Sequence, residues 1–171
     1  MKRWLATNLI SISLLTNGFA LATSVKTAND PKTIPEILLV KNHNQKFSLK
    51  DIDRLSKEAQ EADNAGLYAK TIEILEIILA IESKELGEEH INIADTLNWI
   101  GLVRLDQALF KKAEIAFLKA LQIVEKKFGK ESQQSTETLY NLAQSYIELG
   151  FYKQAESLLN RILEIDQKFL G

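Results

Sequence analysis

The stretch INIADTLNWIGLVRLDQALFKKAEIAFLKALQIVEKKFGKES, residues 91–132, decides the fold. Within it Ile93, Leu97, Ile100, Gly101 and Leu105 recur at helical spacing, and the pattern breaks near Gln107 and Ala108. Ala113, Ala116, Phe117, Ala120, Leu121 and Val124 then form a second stripe. A 3.6-residue period interrupted once predicts two amphipathic helices joined by a tight turn. Lys126 falls in the last turn, where the negative helix end favours a cation, and Gly129 follows, where a left-handed residue can close the helix.

Working outward, the same register recurs in both directions. Gly87, Gly129 and Gly171 are separated by 42 residues, as are Lys84, Lys126 and Lys168. Leu79, Leu121 and Leu163 form another such column, Ile81, Ile123 and Ile165 a second, and Tyr68, Phe110 and Tyr152 a third. In the last copy Leu139, Leu142, Ala143 and Tyr146 precede Gly150, and Ala155, Leu158, Leu159, Ile162 and Leu163 follow it. A period of roughly 20 to 50 residues is the mark of a stacked array. Helices of about 12 to 16 residues are marginal alone in water, so each pair must draw its stability from its neighbours. The expectation is an all-α protein, an α-solenoid of about three helix-turn-helix pairs. Small residues at Gly101, Ala143, Ala113 and Ala155 let the helices approach while Phe110, Phe117 and Tyr152 fill the adjoining space.

The residues before the array read differently. Lys2 and Arg3 precede an apolar stretch from Leu9 to Leu15, and Ala20-Leu21-Ala22 supplies the small residues of a signal-peptidase site. The apolar run is broken by Thr7, Asn8, Ser11, Ser13 and Asn17, short of the roughly 20 apolar residues that a spanning helix needs. Residues 1–22 are therefore expected to be a signal peptide, with the mature chain starting at Thr23 in the periplasm or outside the cell. Residues 23–47, with Pro31, Pro35 and the apolar patch Ile37–Val40, are read as a linker laying one hydrophobic strip on the domain. Ser48 is placed as the cap of the first helix with Asp51 near its positive end, so the repeat domain runs 48–171 in units of about 49–90, 91–132 and 133–171.

Composition excludes several functions. With 46% apolar and 26% charged residues the 171-residue chain is of globular type. Its net charge of -2 gives no cationic excess for phosphates, so neither nucleic acid nor an anionic membrane is an expected partner. Loss of Lys2 and Arg3 leaves 19 basic against 23 acidic residues. The absence of cysteine removes disulfides, thiolate nucleophiles and cysteine metal sites. His43 and His90 have no companion at metal-ligand spacing, and His90 is read as a turn or capping residue. No Gly-rich phosphate loop or Gly-x-Ser-x-Gly elbow is present. Neither catalysis nor a cofactor or metal is expected.

These residues resemble the tetratricopeptide repeat. Its pattern of a large residue, Leu-Gly or Leu-Ala, an aromatic, and then Ala, an aromatic or Leu, and Ala falls on Leu97, Ile100, Gly101, Ala113, Phe117 and Ala120, and on Leu139, Leu142, Ala143, Tyr146, Ala155, Leu159 and Ile162. The 42-residue period and the ending Lys84-Glu85-Leu86-Gly87-Glu88-Glu89-His90 resemble the kinesin-light-chain variety. The first unit departs from the pattern, with Glu58, Ala62 and Thr71 where the family places apolar, aromatic and Ala residues. The resemblance covers Ser48 to Gly171. It implies a right-handed superhelix whose first helices line a concave groove for an extended peptide or a partner's helix.

Mapping that pattern places Asp53, Ser56, Lys57 and Gln60, then Asp95, Asn98, Trp99, Leu102 and Asp106, then Glu137, Tyr140, Asn141, Gln144 and Glu148 on the groove face. Asn98 and Asn141 could bond a peptide backbone, and Trp99 and Tyr140 could anchor an apolar side chain, with Leu102 and Gln144 beside them. Alternatively, the asparagines are solvated and Trp99 packs on a neighbouring helix. The expected role is an exported protein-interaction scaffold. The resemblance also implies a rival: bacterial chains with such repeats often precede a caspase-like CHAT peptidase domain, and this chain resembles the front part of one. The wide apolar arc of residues 152–170 further suggests self-association.

Overall fold

The computed structural model describes residues 47–170. The signal-peptide and linker expectations, the Ile37–Val40 strip and His43 lie outside the described residues. Helix α1 (Ile52–Asn64) pairs with α2 (Tyr68–Leu86), α3 (Ile91–Asp106) with α4 (Phe110–Phe128), and α5 (Thr136–Glu148) with α6 (Tyr152–Leu170). Single 3-10 turns at Leu49–Asp51 and Gln133–Ser135 lead into α1 and α5, and the described residues contain no strand. Successive helices pack together, and α3 also touches α5. The result is an all-α solenoid with α1, α3 and α5 in one layer and α2, α4 and α6 in the other.

The three turns within pairs share one geometry. Leu67 N–H donates to the Ala62 carbonyl at 2.9 Å, Leu109 to Arg104 at 2.8 Å and Phe151 to Tyr146 at 2.7 Å, a six-to-one bond that closes each first helix. The residue before each donor must be left-handed: Gly66 has φ 69°, Gly150 has φ 76°, and in the middle pair Ala108 adopts φ 55°. Ser48 is the N-cap as expected, in a reciprocal capping box: its side chain faces the Asp51 backbone N–H, while the Asp51 carboxylate accepts the Ser48 backbone N–H at 3.0 Å and the Ser48 hydroxyl at 3.3 Å. The bond from the Ser48 backbone, foremost among several contacts, holds the Asp51 carboxyl below its ordinary value.

The core runs across pair boundaries. Leu55, Ala59, Leu75 and Ile78 of the first pair pack with Val103 of α3, and Phe117 and Leu121 of α4 pack with Leu139 and Leu142 of α5. Each large apolar side chain so buried contributes about 1.5–3 kcal/mol. Gly101 is what lets α4 close on α3, since a Cβ there would lie 2.4 Å from the Phe117 ring. The departures in the first unit are satisfied locally. Thr71 is fully buried with its hydroxyl donating to the Leu67 carbonyl at 3.2 Å, and Glu58 pairs with Lys70 at 3.0 Å.

Candidate functional site

The outward face of α1, α3 and α5 carries the residues mapped from sequence, but at different depths. Leu102 and Tyr140 are exposed, at 38% and 58%, and Gln144 is exposed with them. Asp53, Lys57, Gln60, Asp95, Asp106, Glu137 and Glu148 are also exposed. Asp53, Asp95 and Glu137 occupy one repeat position, so a carboxylate recurs at that position of each helix in the layer.

The two asparagines and the tryptophan sit lower on that face. Asn98 is half-buried and its Nδ2 donates to Thr138 Oγ1 of α5 at 2.8 Å. Trp99 is half-buried against the first pair's core, with its indole N–H donating to Asp63 Oδ2 of α1 at 3.2 Å. Asn141 is only 6% exposed and its amide nitrogen has no hydrogen-bond partner among the described residues. Asn98 and Trp99 thus join adjacent helices of the layer, and Asn141 lies nearly covered within it. The physical reason is that α3 and α5 each meet a pair mate and also one another within the layer, so positions at their flanks are covered twice. His90 caps α3 as expected, its Nδ1 accepting the Asn92 N–H at 3.3 Å.

A cavity of about 310 Å³ opens between α1 and α3 with α2 as its floor. Ser56 comes from α1, Leu75, Ile78 and Glu82 from α2, and Asn92, Asp95, Thr96 and Trp99 from α3. Glu82 is 3% exposed, and its Oε2 accepts the Thr96 hydroxyl at 2.8 Å. Burial above all pushes the Glu82 carboxyl above its ordinary value; Asp95 adds to the rise, while the Thr96 bond and His90 oppose it. Asp95, though exposed at the rim, is raised too, by partial loss of solvent where it lines the cavity and then by Glu137 of α5, against Lys127 and His90. Sequence reasoning missed Glu82. The repeat gave little signal, because the column of Glu82 holds Val124 in α4 but Asp166 in α6.

The repeated lysines have partners that the sequence reading also missed. Lys126 pairs with Glu89, and 42 residues on, Lys168 pairs with Glu131 at 2.5 Å. Among the described residues no group of three or more His, Cys, Asp or Glu side chains is placed to hold a metal ion. No helix among them is long and apolar enough to cross a membrane.

Stacked antiparallel helix pairs with a constant 42-residue step, each pair closed by the same turn, define a helical-repeat protein. Residues 92–168 match the family model of the tetratricopeptide repeat, so that stretch of the chain carries tetratricopeptide repeats. Among solved structures the chain is similar to BtubC (BKLC) from P. vanneervenii, at 18% identity over 78% of this chain and 70% of that one, with a TM-score of 0.44. No curated protein matches the chain.

Proposed function

We propose that the array is a protein-interaction scaffold whose α1, α3 and α5 face holds an extended segment or a helix of a partner protein. The observation that supports this reading most directly is the exposure of Leu102 and Tyr140 on that face, beside Gln144 and away from the core. Large apolar and aromatic side chains flanked by polar neighbours are the usual anchors of an interface. Asn98, Trp99 and Asn141 support the face from below by joining or filling the seams between its helices. Replacing Leu102 and Tyr140 together with Ala should weaken a partner recovered by affinity isolation by about 2 kcal/mol or more. Unchanged affinity in a variant of normal helicity sinks the assignment.

The reading includes export, on the strength of Ala20-Leu21-Ala22 and the short apolar run before it. Intact-mass measurement of protein recovered from the periplasm or medium should then give a chain beginning at Thr23; retention of Met1 there contradicts it. It also includes contact between copies of the chain through α6, where Tyr152, Leu163 and Phe169 are exposed at 57% or more.

A further inference from the structure

We propose that the cavity between α1 and α3 receives a lysine or arginine side chain from an extended basic segment of the partner, so that the scaffold selects cationic sequences. This rests on the α1, α3 and α5 face being the docking face. Size is the first argument. At about 310 Å³ the cavity stands at the lower end of the roughly 300–1,000 Å³ of ligand pockets, which suits one side chain better than a cofactor.

Its chemistry is two-sided in the way a long cationic side chain is. Leu75, Ile78 and Trp99 offer apolar surface to a methylene stem, and Glu82 and Asp95 offer carboxylates to its charged head. The Trp99 ring adds a surface that attracts cations.

Glu82 is the second, independent argument. It is 97% removed from solvent and lines the cavity, yet among the described residues no Lys or Arg pairs with it or with Asp95. A buried carboxylate with one hydroxyl donor and no counter-ion is an expensive thing to keep in a fold. Its carboxyl is raised accordingly, above all by burial, with the Thr96 hydroxyl bond opposing the rise. An incoming ammonium or guanidinium supplies the missing charge where the fold does not. Asp53 and Glu137, at the repeat position of Asp95, extend the negative charge along the layer to either side, so a segment with further cations is favoured over a single residue.

Trp99 is the reporter for the test. The chain has two tryptophans, so the full chain carrying Trp4→Phe fluoresces from Trp99 alone. A capped peptide alternating Lys and Ser is titrated against it, with the same peptide carrying Glu in place of Lys as control. The Lys peptide should give a saturable change that weakens with salt. Glu82→Gln, which keeps an acceptor for Thr96, and Asp95→Asn should each reduce affinity on the order of tenfold or more. Equal binding of the Glu peptide, no binding of the Lys peptide, or indifference to both variants overturns the proposal. So does binding that appears only once Lys26, Lys32, Lys41 and Lys46 are replaced by Gln, which assigns the cavity to the chain's own basic residues. A native partner that needs Leu102 and Tyr140 but ignores Glu82→Gln removes the cavity and leaves the docking face standing.

Discussion

Helices α4 and α6 are copies of one another at 42-residue spacing, yet they meet very different surroundings. Phe117 is fully buried where Leu159 is half-buried, Ala120 is fully buried where Ile162 is half-buried, and Leu121 is 8% exposed where Leu163 is 57% exposed. Helix α4 lies between α3 and α5, whereas among the described residues α6 packs on α5 and its leading turn. The apolar stripe is a property of the repeat; its burial is a property of the neighbour. Stability in such an array is accordingly a sum of unit terms and interface terms.

The sharpest way to break this comparison is to truncate the same column in both helices. Phe117→Ala should cost about 3–5 kcal/mol in urea unfolding, because it empties a site that three helices close. Leu159→Ala should cost about 1 kcal/mol, since a half-buried site loses less apolar contact with water excluded. Similar losses at the two positions would show that α6 is as fully covered as α4.

Next in size is the small-residue column. The second unit sets Gly101 against Phe117, and the third sets Ala143 against Leu159, so volume moves from one helix to the other at nearly constant total. Gly101→Ala forces a Cβ to 2.4 Å from the Phe117 ring, and a net loss of about 1–2 kcal/mol is expected after the roughly 1 kcal/mol gain in helix propensity. Adding Phe117→Leu, which copies the third unit, should recover most of it. A Gly101→Ala protein as stable as the parent would mean that the ring has room to turn aside.

The turn column gives a smaller effect of opposite sign. Ala108 holds φ 55° where Gly66 and Gly150 hold 69° and 76°. A left-handed alanine costs roughly 1–2 kcal/mol, partly offset by the greater freedom of glycine in the unfolded chain. Ala108→Gly should therefore stabilise by about 0.5–1 kcal/mol, measured as a rise in the urea midpoint at constant slope. A fall in the midpoint would show that the methyl group makes contacts worth more than the strain.

The Glu82 column distinguishes α2 from α4 by pH. The Glu82 carboxyl is raised above 4.5, so as pH climbs from there the unfolded chain releases this proton before the native one does, and stability falls until the native group has also ionised. Glu82→Gln should remove that part of the pH dependence and raise the melting temperature at neutral pH. Asp51 acts in the opposite sense: its depressed carboxyl contributes stability above its unfolded value of 3.8, lost as pH falls through the lower native value. A pH profile of Glu82→Gln identical to the parent's would show that Glu82 remains well solvated.

The array was legible because a 42-residue column compares each position with copies of itself, which separates the buried stripe from chance apolar residues. Gly101 and Phe117 are read together for that reason, and the breaks near Ala108 and at Gly150 mark two of the turns. Depth was harder. Helical period says that Trp99 and Asn141 share a face with Leu102 and Gln144, but not that the adjacent helix of the layer covers its flank. The hydrogen bonds of Trp99 to Asp63 and of Asn98 to Thr138 span 36 and 40 residues, and no local pattern specifies them. Glu82 was equally hidden: its column holds a buried valine at 124 but a carboxylate at 166, so the repeat does not say which copy is buried.

The smallest expected effect concerns the outer side of α6. Leu163 and Phe169 are each 57% exposed, so Leu163→Lys together with Phe169→Lys removes little buried area, and each should change the stability of dilute protein by no more than about 0.5 kcal/mol. The same pair of substitutions acts strongly on any surface that α6 shares with another copy, because two lysines facing two lysines across an isologous contact repel and must be desolvated. Light scattering over a wide concentration range separates the two effects. The parent should gain mass with concentration and the doubly substituted chain should not, while their urea midpoints at low concentration agree. If both chains scatter as monomers throughout, the exposed side of α6 is not a contact between copies; if the substituted chain is markedly less stable even when dilute, the α6 surface is more deeply packed on α5 than its exposure indicates.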